Sequence, residues 1–105
     1  MKVDNFRMVY KILSALEAGM DLEAINSEEI SAERLGITKE RWNKYIEMMA
    51  DVGYIKGIEI KQYLTGTVID AAGIQITLKG LEYLQENSIM RKMYNAAKGI
   101  SEIIP

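Results

Sequence analysis

The sequence predicts a mainly α fold with a small β-hairpin: a winged helix-turn-helix with an extra C-terminal helix. Three observations carry this. The stretch LGITKERWNKYIEMMADVGYI, Leu35 to Ile55, reads as a sharp turn, a helix of about four turns and an entry into a strand. A shorter helical segment precedes it across Gly36. After Tyr54 the apolar period changes from 3.6 to 2.

Gly36 fits the left-handed position at which helices commonly end. Thr38 is a good N-cap, because its hydroxyl accepts an unpaired N–H of the first turn. Ile37 and Trp42 flank that cap as a hydrophobic staple. Trp42, Tyr45, Ile46 and Met49 recur at helical spacing and define a buried face. Gly53 ends the helix.

The first helix spans Asn5 to Ala18, capped by Asp4 or Asn5. Its apolar stripe is Phe6, Val9, Leu13 and Leu16, with Ile12 beside it. A loop from Met20 to Asn26 follows, anchored by Leu22 and Ile25. The second helix runs from about Ser27 to Leu35, with Glu28 and Glu29 in the first turn complementing its dipole. Beyond the third helix, Ile58 and Ile60 alternate with Glu59 and Lys61, a strand with one face buried. Gly57 marks a bulge or a close backbone approach. A loop from Tyr63 to Gly73, with room for a strand at Val68 and Ile69, leads to a second strand at Ile74 to Ile76. Together they form the wing. Thr77 caps a fourth helix whose apolar side is Leu78, Leu81 and Leu84. Gly80 within it implies close packing on the sheet or first helix, since an interior glycine costs roughly 1 kcal/mol against alanine. Ser88 caps a fifth helix striped by Met90, Met93, Tyr94, Ala97, Ile100 and Ile104. The helix-turn-helix thus occupies about 27–53, the wing about 54–76 and the C-terminal helices about 77–104 of a single domain, 1–105.

LGITKERWNKYIEMMADVGYI, a hairpin and then ITLKGLEYLQEN resemble the YjcQ family, small winged-helix proteins of Gram-positive bacteria and their phages. The resemblance covers nearly the whole chain. Trp42, Gly53-Tyr54-Ile55 and LKGLEYL narrow it beyond a general helix-turn-helix. It implies a winged-helix fold and DNA binding, and it carries no functional residues over.

Composition restricts the chemistry. Of 105 residues none is cysteine or histidine, so disulfides, thiol chemistry and the usual neutral-pH general base are all missing. Serines and threonines fall at cap positions, and no nucleophile–base pair exists, so an enzyme is not expected. Adjacent Glu28 and Glu29 do not face each other on a helix and make a solvated first turn, not a metal site. Gly66 and Gly73 match no phosphate-loop spacing. No cofactor or small-molecule ligand is expected. No apolar run is long enough to span a bilayer and no leader precedes the domain, so a cytoplasmic location without membrane contact is expected.

In helix-turn-helix proteins the early, outward residues of the second motif helix meet the major groove. On that pattern Thr38, Lys39, Arg41, Asn43 and Lys44 contact double-stranded DNA, with Asn43 the base reader and Lys61 assisting from the wing. The charge balance argues the other way. The chain carries 13 Lys and Arg against 15 Asp and Glu, a net −2. Glu40, Glu47 and Asp51 share the outward face of the third helix, and residues 64 to 73 hold no cation. Two readings follow: a small DNA-binding transcriptional regulator, or a protein-interaction module of the same fold. The fifth helix adds a homodimer expectation through Ile89, Met93, Ala97, Ile100 and Ile104. Packing back on the first helix is the alternative for that stripe.

Overall fold

The computed structural model describes residues 4–23 and 25–87. Helix α1, Asn5–Ala18, begins where the Asp4 carboxylate accepts the Arg7 N–H at 3.1 Å. A 3-10 turn, Ser27–Ile30, is capped by the Asn26 side chain. Helix α2, Ala32–Leu35, is capped by Ser31, and helix α3, Lys39–Asp51, by Thr38. Four short strands follow: β1 Ile55–Lys56, β2 Glu59–Tyr63, β3 Gly66–Asp70 and β4 Gln75–Ile76. Helix α4, Leu78–Glu86, follows Thr77. The architecture is the winged helix-turn-helix that the sequence predicts, mainly α with a small hairpin. The expected fifth helix lies outside the described residues, as do the expected dimer residues Ile89, Met93, Ala97, Ile100 and Ile104.

The core joins every part. Ile12, Leu13 and Leu16 of α1 meet Ile30 of the 3-10 turn and Trp42, Tyr45, Ile46 and Met49 of α3. Ile55, Ile69, Ile74 and Ile76 of the wing and Leu84 of α4 close it.

The expected second helix is two pieces. Ser31 adopts an extended backbone, φ −71° and ψ 155°, which ends the 3-10 turn. Its hydroxyl donates to the Glu28 carbonyl and accepts the Arg34 N–H, so one side chain closes one element and opens the next. Serine competes for local backbone partners in this way, which is why it interrupts helices.

The wing is one long hairpin broken in the middle. β1 pairs antiparallel with β4 and β2 with β3, and a two-residue turn at Leu64-Thr65 joins the longer pair. The expected loop from Tyr63 to Gly73 is therefore mostly strand. The break is steric: Gly57 sits at φ +82°, and a Cβ there would lie 2.0 Å from the Gly73 carbonyl oxygen. Because β3, and not β2, lies against α3, Ile60 is exposed, contrary to the alternation expected for it, while its cross-strand partner Ile69 is buried and Ile58 packs on the core.

Three further apolar residues are corrected. Phe6, expected in the α1 stripe, is 66% exposed, because the first turn of α1 extends past the core. Leu22, expected as a loop anchor, is exposed, and Ile25 alone anchors that loop. Leu78, expected on the apolar side of the fourth helix, is exposed, while Leu81 packs against the core as expected. Gly80 decides the rotation of α4. A Cβ there would stand 2.5 Å from the Tyr54 carbonyl oxygen and 2.7 Å from Cγ1 of Ile76, so this face presses on the sheet. Leu78 lies about 200° around the helix from it and turns outward. Thr77 locks the arrangement: its hydroxyl donates to the Gly53 carbonyl and accepts the Gly80 N–H.

Gly80→Ala sets two magnitudes against each other. Helix propensity favours alanine by about 1 kcal/mol. Overpacking costs about 1–3 kcal/mol, and here the obstacle is a backbone oxygen that no rotamer change can move. The variant should therefore unfold at a lower temperature than the parent in a calorimetric scan. A raised midpoint would show that α4 does not seat on Tyr54.

Candidate nucleic-acid interface

Two clamps hold α3. The Trp42 indole N–H donates to the Ile30 carbonyl at 2.6 Å, with the ring buried. It spans the turn between the two motif helices and satisfies a carbonyl that the 3-10 turn leaves without a partner. The second clamp joins α3 to α1. Arg41 donates from Nη1 to Asn5 Oδ1 at 2.9 Å and to the Tyr45 hydroxyl at 3.2 Å, while that hydroxyl donates to the same Asn5 oxygen. A guanidinium offers five donors, so Arg41 retains others for solvent or a ligand.

The six expected DNA contacts divide among different surroundings. Thr38 is the N-cap, its hydroxyl accepting the Arg41 N–H at 3.1 Å. Lys39 is exposed, and its ammonium stands 4.0 Å from the centre of the Trp42 ring. Lys44 is exposed on α3, and Lys61 is exposed on β2 opposite Val68. Among the described residues neither has an ionic or hydrogen-bonding partner.

Asn43, expected to read bases from the outward face, is half-buried against the wing. Its Nδ2 reaches the Thr67 carbonyl at 3.4 Å, and its Oδ1 is buried without a hydrogen-bond partner. At about 100° per residue it stands on the flank of α3 that meets β3. The outward ridge is Glu40, Lys44, Glu47 and Asp51, in which Glu47 is half-buried. Three acids and one cation line it, so the helix offers phosphates little attraction along its length. The cations gather instead at its N-terminal end.

The sequence reading missed a groove between α1 and α3. Its volume is about 630 Å³, and Phe6, Val9, Met48, Val52, Tyr54 and Tyr83 form its apolar walls. Thr38, Glu40, Arg41 and Lys44 line its polar side. Tyr54 and Tyr83 pack at 4.9 Å between ring centres. Partial burial, then the nearby Tyr54, Asp4 and Tyr10, push the Tyr83 phenol above its ordinary value. The signal was present in Phe6, Met48 and Val52, but only the packing angle of the helices brings them together. The wing carries a second exposed apolar set, Tyr63, Leu64 and Val68, with Leu64 fully exposed at the tip.

Among the described residues no group of acids could hold a metal ion, and no helix is long and apolar enough to cross a membrane. The family described as YjcQ protein matches residues 10–103 of this chain. No curated protein and no solved structure matches it.

Replacing Trp42 separates its two contributions. Trp42→Phe keeps much of the apolar contact but strands the Ile30 carbonyl, a loss of about 1–3 kcal/mol. Trp42→Ala also empties the site and should cost about 3–5 kcal/mol. Urea unfolding of both variants measures the difference. Equal stability of the phenylalanine variant and the parent would remove the hydrogen bond from the account of how α3 is held.

Proposed function

We propose that this chain, which belongs to the YjcQ family, is a small winged-helix DNA-binding protein acting as a transcriptional regulator, with the N-terminal end of α3 against the duplex. The observation that supports this best is the cationic end of α3: Lys39 and Arg41 lie in the first turn after the Thr38 cap and Lys44 in the second, on a helix anchored through Trp42 and Arg41. A helix N-terminus adds partial positive charge from its unpaired N–H groups. Lys61 on β2 extends this set towards the wing.

The mode of contact follows from the charges. Backbone phosphates are the partners of Lys39, Arg41, Lys44 and Lys61, and phosphate contacts position a protein without reading sequence. Asn43 faces Thr67, so base discrimination through it requires the α3–β3 contact to open. Glu40 and Asp51, both exposed, keep affinity low along the rest of the helix.

A protein-interaction module of the same fold is the second reading. The specific observation in its favour is the wing: Tyr63, Leu64 and Val68 are exposed, and residues 64 to 73, which include the tip where a duplex-binding wing would carry cations, hold none.

Four cations limit the salt dependence. The logarithm of the association constant should fall against the logarithm of salt with a slope of roughly −3 to −4, from about 0.9 counterion per phosphate neutralised. Lys39→Ala with Lys44→Ala should lower affinity on every duplex and flatten that slope by about 2. Arg41 is unsuitable for this test because it also holds Asn5 and Tyr45. Fluorescence titration with labelled random duplex measures both effects. No binding at low salt, together with no site recovered by selection from genomic fragments, would leave the interaction module as the function.

A further inference from the structure

We infer that the open edge of the wing, strand β2, pairs antiparallel with β2 of a second copy of this chain, in a register centred on Ile60. The inference does not rest on DNA binding, and it uses none of the residues through which the sequence predicts a homodimer.

β2 is the uncovered side of the hairpin. All of Glu59–Tyr63 is exposed, and among the described residues its only strand partner is β3. The far edge of β3 meets α3, where the Thr67 carbonyl accepts from Asn43. An edge strand carries unpaired N–H and C=O groups and is a template for another strand.

The register of the hairpin identifies those groups. Hydrogen-bonded and non-hydrogen-bonded pairs alternate along an antiparallel ladder. Tyr63 and Gly66 close the two-residue turn as a bonded pair, so Lys61–Val68 and Glu59–Asp70 are bonded pairs, and Gln62–Thr67 and Ile60–Ile69 are not. The Thr67 carbonyl agrees, since it points away from β2 to Asn43. The N–H and C=O of Ile60 and Gln62 therefore point to the open edge.

Side chains select the register of the second strand. Ile60 shares a face with its partner Ile69, which is buried, yet Ile60 is 42% exposed. Glu59 and Lys61 lie on the opposite face. There Glu59 stands across from Asp70, a like charge, and Lys61 across from Val68. Neither has an ionic partner among the described residues. A second β2 centred on Ile60 answers all of this at once. Ile60 meets Ile60 of the copy in a bonded pair, and each Glu59 meets a Lys61. Opposite charges across strands stabilise, and like charges destabilise. Registers centred on Glu59 or Lys61 set like charges together, and one centred on Gln62 leaves both charges without a partner. A lysine on an edge strand commonly blocks association; here it fixes the register. The contact is two-fold and self-complementary, the commonest form of homo-oligomer interface. Lys61 has three donors, so pairing with a carboxylate does not exhaust it.

A strand this short buries less than a permanent dimer requires, so the association is weak and concentration-dependent. Sedimentation equilibrium of the full chain, taken to millimolar concentration, should show monomer and dimer in exchange. Glu59→Lys and Lys61→Glu each set like charges across both symmetric positions and should weaken the dimer about tenfold or more. Both positions are exposed, and Glu59→Lys gains an opposite charge at Asp70, so both variants should stay folded. The double exchange, Glu59→Lys with Lys61→Glu, renews the pairing and should restore the dimer. A parent that stays monomeric throughout would overturn the inference. So would a dimer that neither reversal weakens, or a double exchange that stays monomeric.

Discussion

The hydrogen bond from the Trp42 indole to the Ile30 carbonyl is the contact on which the remaining geometry depends. The 3-10 turn from Ser27 to Ile30 and the one-turn helix α2 are too short to be stable alone. They acquire a fixed place because Ile30 is buried beneath α3 and its carbonyl is satisfied by Trp42. That contact ties α3 to the segment that leads into α2. On the helix so held, Lys39 and Lys44 are exposed, Asn43 lies against the wing and the groove opens on the α1 side. A bulky donor at position 42 thus serves packing and orientation together, since a buried indole N–H without a partner would itself cost free energy.

The local grammar of the chain was legible in its residues. Thr38, Thr77, Asp4 and Asn26 each act as the cap that their chemistry suggests, and Gly36 takes the left-handed position at φ +73°. The α3 core face was legible because Trp42, Tyr45, Ile46 and Met49 repeat at one period over several turns. What escaped is what tertiary contact decides. Ser31 splits a segment whose composition is helical, because its hydroxyl serves two backbone groups at once. Ile60 and Leu78 are as apolar as their buried neighbours. Their exposure follows from the placement of β3, not β2, against α3 and from the seating of Gly80, two tertiary contacts that leave no periodic trace.

The candidate site shows the same division. Residue type and position identified the cationic end of α3. Helical projection set Asn43 on the outward face, but its amide lies against Thr67, because the hairpin folds back over that flank of the helix. The groove was illegible, since its walls come from α1, α3, the α3–β1 turn and α4. The electrostatic outcome is a winged helix-turn-helix with an acidic ridge along the outward face of α3. The exposed cations lie apart from that ridge's acids, at the N-terminal end of α3 and on β2, and exposed apolar residues line the α1–α3 groove and the wing tip.

The central claim is that Trp42 holds the two motif helices together for as long as the domain is folded. Hydrogen exchange of the Trp42 indole N–H, followed by nuclear magnetic resonance, tests it most directly. If the bond to Ile30 breaks only when the whole domain unfolds, this proton should exchange with the same opening free energy as the slowest amides of α3 around Ile46 and Met49. Exchange as rapid as that of a solvent-exposed indole, with those amides still protected, would contradict the account.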